Sequence, residues 1–287
     1  MADALQNLIT LLDLDELEVN IFRGVSPKED RQRVFGGQVC GQALVAAGRT
    51  VETGQVHSFH CYFLRPGDPK IPILYEVDRI RDGRSFTTRR VVAIQHGHAI
   101  FNLDASFHKA ESGLNYHAPM PDVPAPETLP TFRERAQAFL NDLGPWAERE
   151  RPIDIRLCDP IGRPPHEWRE PTGYAWLRAD GRLPDDAMLH ACVLAYASDM
   201  TLLDTTVRPH GLVWSPDRKL MMASLDHAMW FHRPFRADEW LLYAQTTPAS
   251  AGGRGFATGS IYTRAGMLVV SVAQEGLIRP LQGDVRH

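Results

Sequence analysis

Apolar and polar positions alternate along two stretches of the chain. Runs at 56–64, 72–80, 85–95 and 99–107 are rich in β-branched and aromatic residues at alternate positions, and runs at 221–232, 239–247, 255–264 and 267–275 repeat the pattern. A period of two turns one face of each run toward a core, which predicts strands. Asp82-Gly83, His96-Gly97 and Ala265-Gly266 fall between neighbouring runs and predict tight connections, so most pairings are expected to be antiparallel. One helix precedes each set of strands. "FGGQVCGQALVAAGRTV" (35–51) is rich in small residues, and Gly41, Ala43, Ala46 and Ala47 would let it lie close on a sheet. A second helix is expected over about 185–200, started by Pro184 and Asp185, with Leu189, Cys192, Val193 and Tyr196 as its apolar stripe. One helix plus a mostly antiparallel sheet, twice over, is an α+β architecture.

The two halves also match residue by residue. "YFLRPGD" (62–68) aligns with "WFHRPFR" (230–236), and "ILYEV" (73–77) with "LLYAQ" (241–245), both at an offset of 168. The segment 84–107 aligns with 254–276, the offset drifting to 169 or 170. Ordered matches at nearly constant offset mark a duplicated unit. Between the copies lies "APMPDVPAPETLP" (118–130), whose prolines exclude regular helix and central strand, followed by a connecting helix with a break near Gly144-Pro145. The expected organisation is an N-terminal domain over 1–115, a linker and connecting helix over 116–150, and a C-terminal domain over 151–287.

Composition narrows the function classes. A formal charge of −4 leaves no basic footprint for nucleic acid. Cys40, Cys61, Cys158 and Cys192 are too widely spaced for a zinc or redox motif and fit free thiols in a reducing cytoplasm. The acidic start lacks the layout of a secretory signal, and no apolar run is long enough to span a bilayer, so a cytoplasmic location is expected.

Five motifs stand out: "VFGGQVCGQAL" (34–44), "VHSFHCYFLRPGD" (56–68), "SLDHAMWFHRPF" (224–235), "EWLLY" (239–243) and "AQEGLIR" (273–279). With them the chain resembles the acyl-CoA thioesterase II family (the TesB type) over nearly its whole length. The resemblance implies two fused hot-dog domains, each a curved antiparallel sheet around a central helix. The implied activity is hydrolysis of acyl-CoA to free fatty acid and CoA, with no cofactor and no metal, by a chain that forms a homo-oligomer. The implied catalytic set is Asp199 in "AYASD", Ser224 in "ASLDH" and Gln274 in "AQEG". Relatives commonly carry threonine where Ser224 stands, and serine keeps the hydroxyl.

Taken as residues alone, these three are open to plainer readings. Asp199 follows Tyr196 by three positions and Cys192 by seven, so it continues the apolar stripe near a helix C-terminus. Burial and the negative end of the helix dipole would both raise its pKa and make it a better base, whereas a structural aspartate would cap a loop or pair with arginine. Ser224 alone is an ordinary strand serine, and Gln274 an ordinary solvent-facing one. The repeat places Val56 opposite Ser224, Ala105 opposite Gln274 and Gly48 opposite Asp199, which predicts one set of active residues per chain. Backbone amides around Gly36-Gly37-Gln38 are candidate donors to substrate, with Gly37 at their centre, or simply a tight turn before the helix. His57 and His60, three apart, are expected on opposite strand faces, with His57 a candidate for contacting substrate. Arg79, Arg81, Arg84, Arg89 and Arg90 form a basic cluster that suits CoA phosphates or a solvated strand face.

"ASLDHAMWFHRPF" (223–235) offers Asp226, His227 and His232 as apparent metal ligands. Regular alternation would place Ser224, Asp226, Ala228, Trp230 and His232 on one face and His227 on the other, so a metal is not expected there. A hydratase of the same fold and a non-catalytic acyl-CoA binder are the competing functions.

Overall fold

The computed structural model describes residues 4–27, 32–139, 150–159, 167–212 and 220–280. The chain order is α1 (Ala4–Leu12), β1 (Asp15–Glu18), β2 (Ile21–Gly24), α2 (Gly36–Arg49), β3 (Gln55–Phe63), β4 (Ile73–Asp82), β5 (Phe86–Gln95) and β6 (His98–His108), then α3 (Phe132–Phe139). The second half has β7 (Ile153–Leu157), β8 (Thr172–Ala179), α4 (Ala187–Ser198), a 3-10 segment (Leu203–His210), β9 (Leu220–Ser224), β10 (Asp226–Phe231), β11 (Leu241–Ala251), β12 (Arg254–Thr263) and β13 (Leu268–Pro280). The expected connecting helix is present as α3; its break near Gly144-Pro145 lies outside the described residues.

The strands form one sheet in the order β1-β2-β4-β5-β6-β3-β10-β13-β12-β11-β8-β7, with β9 also on β13. That order is a palindrome of the two copies: β3 matches β10, β6 matches β13, β5 matches β12 and β4 matches β11. The junction itself obeys the repeat. His60 pairs with Ala228, its own counterpart 168 residues on, while Ser58 pairs with Trp230 and Tyr62 with Asp226. A pseudo-two-fold axis therefore passes through the β3–β10 ladder. The chain is two fused hot-dog domains, each with its sheet wrapped around one helix.

The two central helices pack against each other inside this sheet. The α2 glycines serve that contact, not contact with the sheet as expected. A Cβ at Gly37 would lie 2.4 Å from the Tyr196 carbonyl oxygen, and one at Gly41 would lie 3.2 Å from that of Cys192. Gly37 and Gly41 are one turn apart, as are Cys192 and Tyr196, so bare backbone on α2 meets one face of α4. Ala43, Ala46 and Ala47 are buried beneath the strands. Helix α4 is buried nearly all round, and its N-cap is Asp186, one residue past the expected signal, accepting from the Met188 and Leu189 amides at 2.9 and 3.3 Å.

Bulges at equivalent places in the two copies break the regular alternation. In β3 the register to β6 shifts between Val56 and Ser58. In the second copy Ser224 pairs with Gly276 and Ala228 with Ala273, four steps against three, so one extra residue sits at Leu225–Asp226. The Leu225 amide donates to the Glu275 carbonyl at 2.9 Å, and Asp226 Oδ1 accepts from the Glu275 amide at 2.6 Å.

Candidate active site

Asp199 is the C-cap of α4, and its carboxylate turns toward the start of α2. Gly36 and Gly37 make room for it: a Cβ at Gly36 would lie 2.7 Å from Asp199 Oδ2. The Gly37 backbone N–H donates to the carboxylate. The C-terminal end of α4 is fixed by Tyr243 of β11, whose hydroxyl donates to the Ser198 carbonyl at 3.3 Å. Just beyond it, Gln245 accepts from Thr205 Oγ1 at 2.8 Å and donates to Thr201 Oγ1 at 2.5 Å, tying the following loop to the sheet.

The bulge is what delivers Ser224. Regular alternation puts Ser224 on the same face as Asp226, but the extra residue sends them to opposite faces. Ser224 points inward and donates to Asp199 Oδ1 at 3.1 Å. Gln274, fully buried on β13, donates one amide hydrogen to Asp199 Oδ1 at 2.7 Å and the other to Ser224 Oγ at 2.8 Å. Asp199 Oδ1 accepts two of these hydrogens and Ser224 Oγ the third, so the expected partners, 25 and 75 positions from Asp199 in sequence, meet it in one hydrogen-bonded cluster. Gln274 is not solvent-facing.

Burial pushes the Asp199 carboxyl up from 3.8 to about 6, against the opposing pull of hydrogen bonds from Gln274, Ser224 and the Gly37 amide. The result is a carboxylate that is ionised near neutral pH yet more basic than one on the surface. Its negative charge lies against the N-terminal end of α2, where the helix dipole favours it, while its place at the end of α4 disfavours it.

The N-terminal copy of this geometry lacks the polar triangle. Val56, at the equivalent bulge, and Ala105 are buried apolar counterparts of Ser224 and Gln274. The helices repeat the exchange: where Gly37 faces α4 near Asp199, Gly48 faces the start of α4, and a Cβ there would meet the Met188 side chain at 2.7 Å.

Other expected site residues fall elsewhere. The Gly37 amide is engaged by Asp199 and the Gln38 amide bonds the Phe35 carbonyl at 3.1 Å, so neither stands ready for a substrate oxygen. His57 and His60 lie on the same face, because the bulge at Val56–Ser58 shifts His57 outward. There His57 Nε2 is 2.8 Å from Ser106 Oγ, and the ring packs edge-on to Phe86 and His108, away from the helices and Asp199. Arg89 of the basic cluster is buried and holds the end of α2, donating to Thr50 Oγ1 at 2.8 Å and the Thr50 carbonyl at 3.1 Å. Arg79 bonds Asn20 and Arg90 bonds Asp104 on the surface. In the 223–235 stretch Asp226 faces outward and His227 inward. Among the described residues no group of three or more His, Cys, Asp or Glu is placed to hold a metal ion.

Comparison with known proteins bears on this geometry. The acyl-CoA thioesterase family profile matches residues 166–277, and the acyl-CoA thioesterase N-terminal domain profile matches 26–108. Acyl-coenzyme A thioesterase 8 of Mus musculus is 43% identical over 94% of this chain and 88% of its own length. Acyl-CoA thioesterase 2 of Haemophilus influenzae is 38% identical over 97% of this chain and 99% of its own. The chain belongs to the acyl-CoA thioesterase family. The crystal structure of acyl-CoA thioesterase II TesB2 from Mycobacterium marinum superposes with a TM-score of 0.78 at 43% identity, covering 96% of this chain and 100% of that one. This thioesterase is thus a thioester hydrolase with the double hot-dog fold.

His227 lies on the inner face beside Gln274, its Nε2 2.9 Å from Ser198 Oγ. Burial pushes its pKa down to about 4, so the ring is neutral. His227 stands three residues after Ser224, which regular alternation would place on the opposite face; the extra residue between them turns both inward.

Proposed function

We propose that the chain hydrolyses fatty acyl-CoA to free fatty acid and CoA, with Asp199 as general base and Ser224 and Gln274 as its partners. The observation that carries this reading is the Asp199–Ser224–Gln274 triangle, closed by three hydrogen bonds around a carboxylate raised to about 6. Asp199 takes a proton from water as the water oxygen bonds to the thioester carbonyl carbon. The C–S bond then breaks, the proton passes to the departing CoA sulfur, and the acid leaves as carboxylate with release of a second proton. Ser224 and Gln274 keep Asp199 Oδ1 in place through their hydrogen bonds, while Gly37 positions the carboxylate through its amide. His57, on the outer face, has no part in this chemistry.

The N-terminal copy, with Val56, Ala105 and Gly48, forms the opposing wall and adds no second active site. Domain limits at 1–115 and 151–287, with a linker between, accord with the extents of the two family matches. A homo-oligomer working in the cytoplasm accords with exposed Tyr62 and Leu64 on β3 and the loop after it, and with four cysteines free of disulfides.

The test is a panel of acyl-CoA substrates of increasing chain length, followed by free-thiol release. Saturable turnover with thiol release supports hydrolysis. Binding without turnover, or consumption of an enoyl-CoA without thiol release, refutes it. Single-turnover hydrolysis in oxygen-18 water separates general-base attack from direct attack by Asp199, because label enters the aspartate only through an anhydride.

A further inference from the structure

Among the described residues, His227 Nδ1 and Gln274 Oε1 are buried polar atoms with no hydrogen-bond partner of good geometry. Their side chains are neighbours. Ala228 pairs with Ala273, so one step back along β10 and one step on along β13 His227 stands across from Gln274, and the two side chains interact directly. Both amide hydrogens of Gln274 are committed, one to Asp199 and one to Ser224. Its oxygen end therefore decides which way the amide faces. A reversed amide would set Oε1 against the ionised Asp199 carboxylate, two acceptors with no hydrogen between them.

The other ring nitrogen of His227 lies 2.9 Å from Ser198 Oγ, which is also 3.0 Å from the Ala195 carbonyl. A neutral ring carries one N–H, and the choice of nitrogen fixes the network. With the proton on Nε2, the Ser198 hydroxyl turns to Ala195, and the bare Nδ1 confronts the Gln274 carbonyl. With the proton on Nδ1, Ser198 donates to Nε2 and both orphaned atoms gain a partner, which is what buried polar groups require.

We propose that His227 is a positioning residue, held as the Nδ1–H tautomer between Ser198 and Gln274, whose carbonyl it engages so that the amide faces Asp199 and Ser224. The assignment rests on the proposed role of Gln274. Ser198 is the residue before Asp199, so the relay runs from the end of α4 through β10 to β13 and back to the carboxylate.

The test combines a tautomer measurement with kinetics. Long-range proton–nitrogen-15 correlation on histidine-labelled protein is expected to show His227 protonated at Nδ1; protonation at Nε2 overturns the proposal. His227→Leu is expected to lower kcat about 10- to 100-fold, the range for leaving a buried partner unpaired, with KM little changed. His227→Asn places an amide nitrogen where Nδ1 stood and is expected to restore most of the loss, whereas His227→Gln, with its nitrogen nearer the Nε2 position, is not. In a Gln274→Ala background His227→Leu is expected to cost nothing further. Equal losses in the Asn and Gln variants, or a full additional loss on top of Gln274→Ala, overturn the positioning role alone. A Gln274→Ala enzyme with the wild-type rate overturns the role of Gln274 and this one together, while the tautomer is read without turnover. If the Leu variant does not fold, the Asn and Gln pair and the tautomer carry the test.

Discussion

Replacing Ser224 by alanine should move the acid limb of the pH–rate profile upward. Asp199 sits at about 6 because burial raises it and three hydrogen bonds, from Gln274, Ser224 and Gly37, pull it back down. The Ser224 hydroxyl donates to the charged form at 3.1 Å, so removing it disfavours ionisation. A hydrogen bond to a charged acceptor is worth about 1.5–3 kcal/mol, and one pKa unit is about 1.4 kcal/mol. The bound is therefore about one to two units; a long bond at a carboxylate still partly in contact with solvent places the shift nearer one. For the wild type, kcat/KM should rise with an apparent pKa of about 6 and then level, because only the ionised base accepts a proton. In Ser224→Ala the same limb should lie near about 7, with a lower plateau. Gln274→Ala removes the larger downward influence and should shift the limb at least as far. The assay is thiol release from a single acyl-CoA at constant ionic strength, with a thiol reagent that works across the whole pH range. A Ser224→Ala profile that loses height without moving, or moves to lower pH, would refute the reasoning, because the limb would then not report Asp199.

Two further outcomes follow from the same geometry. The folded Asp199 pKa exceeds its unfolded value of 3.8, so the folded chain binds more protons between about 4 and 6, and stability falls as pH rises through that window. Asp199→Asn should therefore raise Tm at neutral pH, by up to about 2 kcal/mol of stability after allowance for solvent contact, and confer no advantage below about pH 4; an unchanged difference across pH would contradict this. Gly37→Ala should destabilise by about 1–3 kcal/mol, since its Cβ meets the rigid Tyr196 carbonyl at 2.4 Å, whereas Gly48→Ala meets only the flexible Met188 side chain and should cost much less. Chemical denaturation of the two variants settles the order, and equal costs would refute the close helix contact.

Most of the fold was legible because it rests on period and repetition. The strands matched their runs to within a few residues, and the offset of 168 reappeared as the pairing of His60 with Ala228. Elements with weak patterns were missed: β1 is "DELE", exposed throughout, and β7 spans five residues. The composition of α2 foretold close packing, but glycine says only that something approaches, and the partner was α4. The three residues of the proposed site were named through family motifs; their convergence depends on the bulge at Leu225–Asp226. A bulge leaves no mark in a period-two pattern, which is why Ser224 was expected beside Asp226 and why His57 was expected opposite His60. The closeness of His227 to Gln274 is likewise a matter of register, which the period does not show.

The central claim is that Asp199 is the base. Purified Asp199→Asn, matched to wild type in Tm and helix content or exceeding it, should release no thiol from acyl-CoA above the uncatalysed rate while still binding the substrate. Near-normal thiol release by that variant would contradict the assignment outright.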